Sequence, residues 1–262
     1  MKSSEALQLR SQAALRRAGF ALVRVHRHPG HDAYEPAPTC QIPALANLYR
    51  LYFGEPSPDR TVVEVGAFDG YSYSNTWQLA RIGWRTLLFE PVPAHAELCR
   101  RRYRGLDNVS VHETAVGSSR GTISMRVGGE YSTAHAGTAD TYEGLPYASG
   151  KLTTTTIHVE QARLDDLLEP LLGRDERIDL LVVDVEGYET DVFDGFDLER
   201  HRPLMIIVEL TDTHPRYAHS RAGSARLGLR ILDAGYVVVS RDMGNTVYVD
   251  REHYERISLG SS

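Results

Sequence analysis

The sequence predicts an α/β fold built on an open, mostly parallel sheet. Short apolar runs alternate with helical stretches from Thr61 onward, and the first run ends in a turn with two glycines, Gly66 and Gly70. The chain closes with two short runs across a Met-Gly-Asn turn, which predicts a hairpin. Its 262 residues, 42% hydrophobic and 24% charged, are typical of one globular domain with a modest extension.

Each element follows from its pattern. Runs rich in valine and isoleucine suit parallel strands buried on both faces, and stretches between them have helical periodicity. The predicted parallel strands are Thr61–Val65, Arg85–Phe89, Val109–Val111, Asp179–Val185 and Leu204–Val208. The predicted helices are Ser74–Arg81, Ala94–Tyr103, Leu164–Leu172 and Glu189–Phe196, and the hairpin pairs Val237–Ser240 with Thr246–Val249. Strand–helix alternation of this kind favours right-handed crossovers.

Residues 1–60 are predicted to form a helical extension, a lid or a dimer surface, in front of a main domain at 61–262. The first twenty residues have the period of an amphipathic helix, and a second helix is expected to end at Gly54. Between them lie His26, His28 and His31, which we expect in a solvated or lid-contacting loop rather than in a metal site.

The alternation is interrupted by an insertion at 128–155, between predicted strands Thr122–Val127 and Thr153–Val159. A stretch of this length without clear periodicity favours a mobile lid or binding loop. Its aromatic side chains can stack on a sugar or ring substrate, although an ordinary surface excursion is the alternative. The residues in question are Tyr131, Tyr142, Tyr147, His135 and His158.

Charge and composition exclude several classes of protein. The net charge of −6 argues against a nucleic-acid partner, and the arginines at 100–104 are expected on an exposed helix end. The apolar runs are far too short to cross a membrane. Two cysteines, Cys40 and Cys99, suit a reducing compartment, and no secretory leader is recognisable, so a cytoplasmic location is expected.

The strongest chemical signal is the pairing of the first glycine turn with an acidic residue at the end of the next strand. Glu90 follows Gly70 by about 20 residues, the spacing at which a carboxylate accepts hydrogen bonds from both ribose hydroxyls of an adenosine cofactor. The glycines do not have dinucleotide spacing, because no third glycine follows in register. Alternatively, the turn is purely structural, and Glu90 caps a helix or pairs with an arginine.

The order of these motifs resembles the FkbM family of S-adenosylmethionine-dependent methyltransferases over roughly residues 60–250. The matching segments are Glu64–Gly70, Ser74–Thr76, Gly83–Trp84, Phe89–Pro91, Leu164–Leu167 and Val183–Glu189. The resemblance implies a Rossmann-like class I methyltransferase sheet of seven strands with an antiparallel last strand. Val183 stands where many members carry a lysine, which leaves open any role that this lysine has in binding substrate.

The same resemblance implies where the cofactor binds. Contacts are expected from the glycine turn, a ribose contact from Glu90, and the adenine near Thr114 and Ala115. The full set of expected cofactor-binding residues is Glu64, Gly66, Ala67, Asp69, Gly70, Asn75, Glu90, Thr114, Ala115 and Asp184.

Three residues are candidates for proton transfer. Asp184 is expected where the fourth parallel strand ends, at the centre of the carboxyl edge of the sheet. Glu209 ends the next strand, and His214 follows in a loop with a side chain suited to general base catalysis at neutral pH. A solvated loop histidine is the alternative, and Glu186 and Glu189 are expected to cap a helix. Oxygen ligands among these residues can also hold Mg²⁺, but a metal is not favoured.

The sequence therefore predicts an S-adenosylmethionine-dependent O-methyltransferase acting on a hydroxyl of a small molecule, a sugar or a secondary metabolite. A homodimer is an open option, and no nucleic-acid or membrane partner is expected. A nicotinamide-dependent oxidoreductase is a weaker alternative, because the third glycine is missing and Asp69 occupies the loop. A non-catalytic binding protein with a degenerate cofactor pocket is the rival from another class.

Overall fold

The computed structural model of the chain describes residues 31–42, 44–145, 148, 150–173 and 176–258. Its strands are β1 (Thr61–Val65), β2 (Arg85–Phe89), β3 (Val109–His112), β4 (Ala115–Val116), β5 (Gly121–Arg126), β6 (Thr156–Ala162), β7 (Leu180–Val183), β8 (Met205–Glu209), β9 (Tyr236–Arg241) and β10 (Asn245–Asp250). Its helices are α1 (Leu45–Phe53), α2 (Trp77–Arg81), α3 (Pro93–Arg102), α4 (Ala136–Glu143), α5 (Leu164–Leu168), α6 (Glu189–Asp194), α7 (Leu198–His201), α8 (Arg221–Asp233) and α9 (Arg251–Ser258). A short 3-10 helix spans His31–Tyr34.

The main sheet has seven strands in the order β3-β2-β1-β7-β8-β10-β9. All neighbours are parallel except β10, which runs antiparallel to both β8 and β9. This arrangement confirms the predicted Rossmann-like sheet with its antiparallel last strand. The strand order reverses between β1 and β7, and ligands of open α/β sheets bind outside the carboxyl ends of the strands at such a point.

The sheet is covered on both faces, which is why its central strands are continuously apolar. Every residue of β1 and β7 is buried. One face packs against a core that includes Phe193 and Ile231, and the other packs against Tyr49 and Phe53 of α1. Helix α1 ends at Gly54, as predicted, and it shares its core with the sheet.

Several element boundaries differ from the sequence prediction, and helices α4, α7, α8 and α9 were not predicted. Helix α2 begins at Trp77 rather than at residue 74, because the Ser74 hydroxyl accepts hydrogen bonds from the N–H groups of Thr76 and Trp77 and holds a turn there. Strand β7 ends at 183, and α5 ends at 168. The buried face of α8 includes Ser224 and Gly228, so apolar residues do not recur regularly along this helix and the pattern did not predict it.

The insertion contains regular structure that the sequence analysis did not predict. Its flanking strands β5 and β6 pair antiparallel in a second sheet, of order β4-β6-β5. Helix α4 lies inside it, so the expectation of a stretch without periodic structure is wrong over 136–143. Tyr142, Leu145 and Leu152 form a small core with Tyr217, which anchors the insertion to the loop before α8.

Some predictions concern residues outside the described ranges. These are the helix in the first twenty residues, His26, His28, the side chain of His31, and Tyr147. Within the described ranges, no helix combines the length and apolarity needed to cross a membrane.

Candidate cofactor-binding and active site

A cavity opens at the carboxyl ends of β1, β2 and β7, where the strand order reverses. It encloses about 1150 Å³ of empty space, part of it open to solvent. The first part of the insertion forms one side of it. The lining includes Glu64, Gly66, Ala67, Asn75, Glu90, Thr114, Ala115 and Asp184 among the predicted residues, and Gln41, Tyr73, His95, Glu130, Tyr131 and Glu186, which were not predicted as ligands.

Gly66 makes the close approach of two strand ends possible. Its φ is +90°, and a Cβ built at this position would overlap the backbone carbonyl oxygen of Asp184. The N–H of Asp184 in turn donates to the carbonyl of Val65 at 3.0 Å. A glycine is therefore required by both backbone conformation and space.

We expect Gly66→Ala to lower the free energy of unfolding by roughly 3 kcal/mol or more, because the ends of β1 and β7 must separate. Chemical denaturation measures this, and Gly121→Ala is the matched control. Gly121 has an ordinary φ and nothing within 4 Å of a built Cβ. Equal unfolding midpoints of the two variants would show that the turn at Gly66 can accommodate a side chain.

Asp69 and Gly70 shape the turn from behind the cavity and do not line it. The Asp69 carboxylate accepts hydrogen bonds from the N–H groups of Tyr71 and Ser72, at 2.9 and 2.7 Å, and pairs with Arg102 at 2.7 Å. Burial works to raise the pKa of Asp69, but these hydrogen bonds and the Arg102 charge bring it below its ordinary value. Gly70, at φ +74°, lets Tyr103 and Cys99 pack against the turn. Direct contact of either residue with a cofactor stays a prediction.

Glu90 is buried at the cavity wall, with 5% of its surface exposed. One carboxylate oxygen accepts from the N–H of Phe68 and the other from the N–H of Val92, both at 2.9 Å. The bond from Val92 lies at the start of α3, so Glu90 also has the structural role, helix capping, that the sequence offered as the alternative. The oxygen that accepts from Val92 also lies 3.5 Å from His95 Nδ1. The oxygen bound to Phe68 keeps a lone pair for a hydroxyl, and the other keeps one when His95 carries its proton on Nε2, so a diol can bind the same carboxylate.

Glu64 and Asn75 lie deeper in the cavity. The Thr76 hydroxyl donates to Glu64, and the Asn75 amide oxygen accepts from the Cys40 thiol at 3.4 Å. Burial raises the pKa of Glu64 from 4.5 to about 8, and the negative charge of Asp184 adds to this, while the bond from Thr76 opposes it.

The raised pKa of Glu64 predicts a pH-dependent stability. A carboxyl whose pKa is higher in the folded state stabilises the fold fully below its unfolded value, here 4.5, and that contribution is lost as pH rises through about 8. We therefore expect Glu64→Gln, which cannot ionise, to become more stable relative to wild type as pH rises from 4.5 to 8.5. Unfolding free energies measured across that range test this, and a constant difference would contradict it.

Another part of the cavity lining is largely apolar. Thr114, Ala115 and Val116 follow β3, and Ile123 and Met125 come from β5. The Thr114 hydroxyl donates to the carbonyl of Glu160 at 3.2 Å, so its side chain is fixed to the second sheet. A wall of this kind suits an aromatic base, in agreement with the region expected for adenine.

Four carboxyl groups lie close together past the ends of β7 and β8, with Glu189 buried and Asp184, Glu186 and Glu209 partly exposed. Burial raises the pKa of Asp184 to about 6 and that of Glu189 to about 7. Burial also raises the pKa values of Glu186 and Glu209 well above the ordinary range, and the neighbouring carboxylates add to the shift. Glu189 accepts from the N–H groups of Val185 and Gly187, so it holds the turn that precedes α6 and does not cap the helix itself.

Asp184 lines the cavity, whereas Glu209 and His214 do not. The His214 ring contacts Tyr217 edge-on at 4.7 Å, and its Nδ1 accepts from the N–H of Arg216. Burial and the charge of Arg216 lower the pKa of His214. A role for His214 or Glu209 as the base stays a prediction, and Asp184 is the candidate that the cavity reaches. Among the described residues, no three or more histidine, cysteine or acidic side chains are grouped so as to hold a metal ion.

The sequence predicted that the insertion takes part in binding, but it did not predict which of the insertion's aromatic residues line the cavity. Tyr131 lines it, Tyr142 is buried in the small core, and His158 lies on the outer sheet beside Ser124. His135 caps α4 through Nδ1, and its ring stacks on His219 at 5.4 Å. The left-handed φ of Tyr73, +62°, was not foreseeable, since no glycine marks it.

Comparison with known proteins gives one family and a set of distant structural likenesses. The family described as Methyltransferase FkbM domain matches residues 64–238. No curated protein matches this sequence. Solved structures that resemble the chain include a putative O-methyltransferase from Klebsiella pneumoniae (17% identity, TM-score 0.44, 92% of this chain and 88% of that one). Others are an O-methyltransferase from Bacillus cereus (16%, 0.44, 94% and 89%) and TomG from Streptomyces achromogenes (16%, 0.44, 92% and 87%).

Proposed function

The chain belongs to the methyltransferase FkbM domain family, and from this premise we propose that it is an S-adenosylmethionine-dependent O-methyltransferase acting on a hydroxyl of a small molecule, a sugar or a secondary metabolite. One observation carries the proposal. The residues expected to hold the cofactor come from separate strands, yet most of them line one cavity at the reversal of strand order. We also propose that the protein works in the cytoplasm.

The cavity fits this cofactor in three respects. The Glu90 carboxylate keeps lone pairs for the ribose hydroxyls beside its two bonds to backbone N–H groups. Ala115 and Val116 make part of the wall apolar, and Gly66 lines the cavity with backbone atoms alone. S-adenosylmethionine, when bound, supplies an electrophilic methyl group on a positively charged sulfur. Glu64 and Asp184 supply carboxyl groups for its positive charges.

Asp184 is the proposed general base. Its pKa of about 6 leaves it ionised at neutral pH, yet close enough to neutrality to accept a proton as the acceptor oxygen reacts. The rest of the cavity orients the acceptor, and positioning of this kind lowers the barrier without further chemistry from the protein. Asp184 takes the hydroxyl proton and later releases it to solvent.

Calorimetric titration with S-adenosylmethionine, S-adenosylhomocysteine and NAD tests the cofactor half of the proposal. We expect micromolar binding of both adenosyl-sulfur ligands and none of NAD. Binding of NAD alone would instead support an oxidoreductase. Binding of the adenosyl ligands together with full biological function in a D184A/H214A double variant would support the non-catalytic alternative.

A further inference from the structure

The lining of the cavity is strongly acidic. Its carboxyl groups belong to Glu64, Glu90, Glu130, Asp184 and Glu186. Among the described residues that line it, none is a lysine or an arginine, and His95 is the single histidine. A lining rich in carboxyl groups favours a cationic ligand over an anionic one, because a bound cation also stabilises the ionised forms of Glu64 and Glu186, two carboxyls with raised pKa values.

Four of these five carboxyl groups already have a partner or a proposed task. Glu90 holds two backbone N–H groups and the proposed ribose, and Glu130 pairs with Lys151 at 2.8 Å. Glu64 accepts from Thr76, and it faces the proposed cofactor together with Asp184. Glu186 is the remaining group, and among the described residues the side-chain hydrogen bond that reaches it goes to its backbone carbonyl and not to its carboxyl.

Glu186 lies where the cavity meets the insertion. Its φ is +55°, and the Thr133 hydroxyl donates to its backbone carbonyl at 2.7 Å, which ties the turn after β7 to the insertion. Its acidic neighbours include Glu189, Glu130 and Glu209. Burial, and after it the charges of Glu189 and Glu130, raise the pKa of Glu186 well above its ordinary range. A cation bound beside this carboxyl therefore stabilises its ionised form.

The aromatic side chains on the same side also suit a cation. The Lys151 ammonium already lies 4.9 Å from the centre of the Tyr131 ring. Tyr73, 40% exposed, lines the cavity near it. Aromatic rings stabilise an ammonium group through their electron-rich faces, so these tyrosines complement the carboxyl groups.

We propose that the methyl acceptor carries a protonated amine, which binds beside Glu186, in addition to the hydroxyl that is methylated. This inference rests on the proposed function and names the class of acceptor for that same site: an amino-bearing sugar or an amino alcohol. A protonated amine has no lone pair, so the hydroxyl oxygen gains the methyl group and its proton goes to Asp184. Acceptors with a phosphate or a carboxylate are disfavoured by the acidic lining.

The charge class of the acceptor is measurable before its identity is known. A small-molecule extract of the cells that produce the protein is separated at pH 7 into cation-exchange, anion-exchange and unretained fractions. Each fraction is incubated with the full chain and S-adenosylmethionine labelled in the methyl group. We expect label in the cation-exchange fraction, and acetylation of its amines beforehand should abolish the transfer.

Label in the unretained or the anion-exchange fraction contradicts the proposal that the acceptor carries an amine, but it agrees with the proposed methyltransferase function. Methyl transfer that persists after acetylation also contradicts the proposal of an amine. No label in any fraction, although the protein binds S-adenosylmethionine, overturns the amine together with the small-molecule acceptor. Absence of S-adenosylmethionine binding overturns the proposed function itself.

A residue-level test uses Glu186→Gln with the labelled cationic fraction as acceptor. We expect the apparent KM for the acceptor to rise about tenfold or more, since a paired charge is lost, with the Kd for S-adenosylmethionine within twofold of wild type. Glu143→Gln is the control, because Glu143 lies on α4 of the same insertion, pairs with Arg126 and stands outside the cavity lining. An unchanged KM in Glu186→Gln, or an equal rise in the control, contradicts the proposal.

Discussion

Replacing Glu90 with glutamine is expected to raise the Kd for S-adenosylmethionine by about 100-fold. Hydrogen bonds to a charged group are worth about 1.5–3 kcal/mol each, and two bonds to the ribose depend on this carboxylate. Glutamine has one acceptor oxygen, and its NH₂ group must face the N–H of either Phe68 or Val92. Calorimetric titration of wild type and variant gives the ratio directly.

The control for this experiment is Glu97→Gln, on the same helix that Glu90 caps. Glu97 is half exposed and reaches only Arg101, at 3.8 Å, so cofactor binding should not change. Circular dichroism of the Glu90 variant establishes that the fold persists. A folded Glu90→Gln protein that binds within threefold of wild type would contradict the assigned ribose contact.

Replacing Asp184 with asparagine is expected to lower kcat by about 10³-fold, because a general base contributes roughly 10²–10⁴ to the rate. The two side chains have nearly the same shape, so the cavity is preserved and the Kd for S-adenosylmethionine should change by less than about tenfold. Single-turnover methyl transfer with the labelled acceptor measures the chemical step. Loss of binding and turnover in equal proportion would make Asp184 a cofactor ligand and not the base.

The same residue sets the expected pH profile. With the pKa of Asp184 raised to about 6 by burial, kcat should fall below pH 6, where the base becomes protonated, and level off above it. Asp184→Asn should remove this dependence from the residual rate. His214, in contrast, lies outside the cavity lining, so His214→Ala should leave the profile in place. If His214→Ala removes the pH dependence of kcat, then His214, in the loop after β8, is the general base and Asp184 is not.

The sequence was sufficient for the parts of the fold that depend on local pattern. Strands β1 and β2 have the predicted bounds, because continuous apolar runs are typical of strands buried on both faces. The strands of the closing hairpin differ from the predicted ones by one residue at each end. Helix α8 escaped because Ser224 and Gly228 replace apolar residues on its buried face. A Cβ built at Gly228 would lie 3.1 Å from the Tyr248 hydroxyl, a tight contact with a neighbour that is not visible in the local sequence.

For the site, the sequence determined which residue types stand at the strand ends, and hence the family and the expected cofactor contacts. Only the tertiary structure decided which of them share a cavity. It turns Asp69 toward Arg102, leaves His214 beside Tyr217, and places Glu130 of the insertion opposite Glu186. The physical reason is the distance along the chain over which the deciding interactions act. The positions of the strand ends follow from backbone pairing between neighbouring parallel strands, which the apolar pattern of each strand predicts. The direction of a loop side chain depends instead on hydrogen bonds and packing with residues distant in the chain.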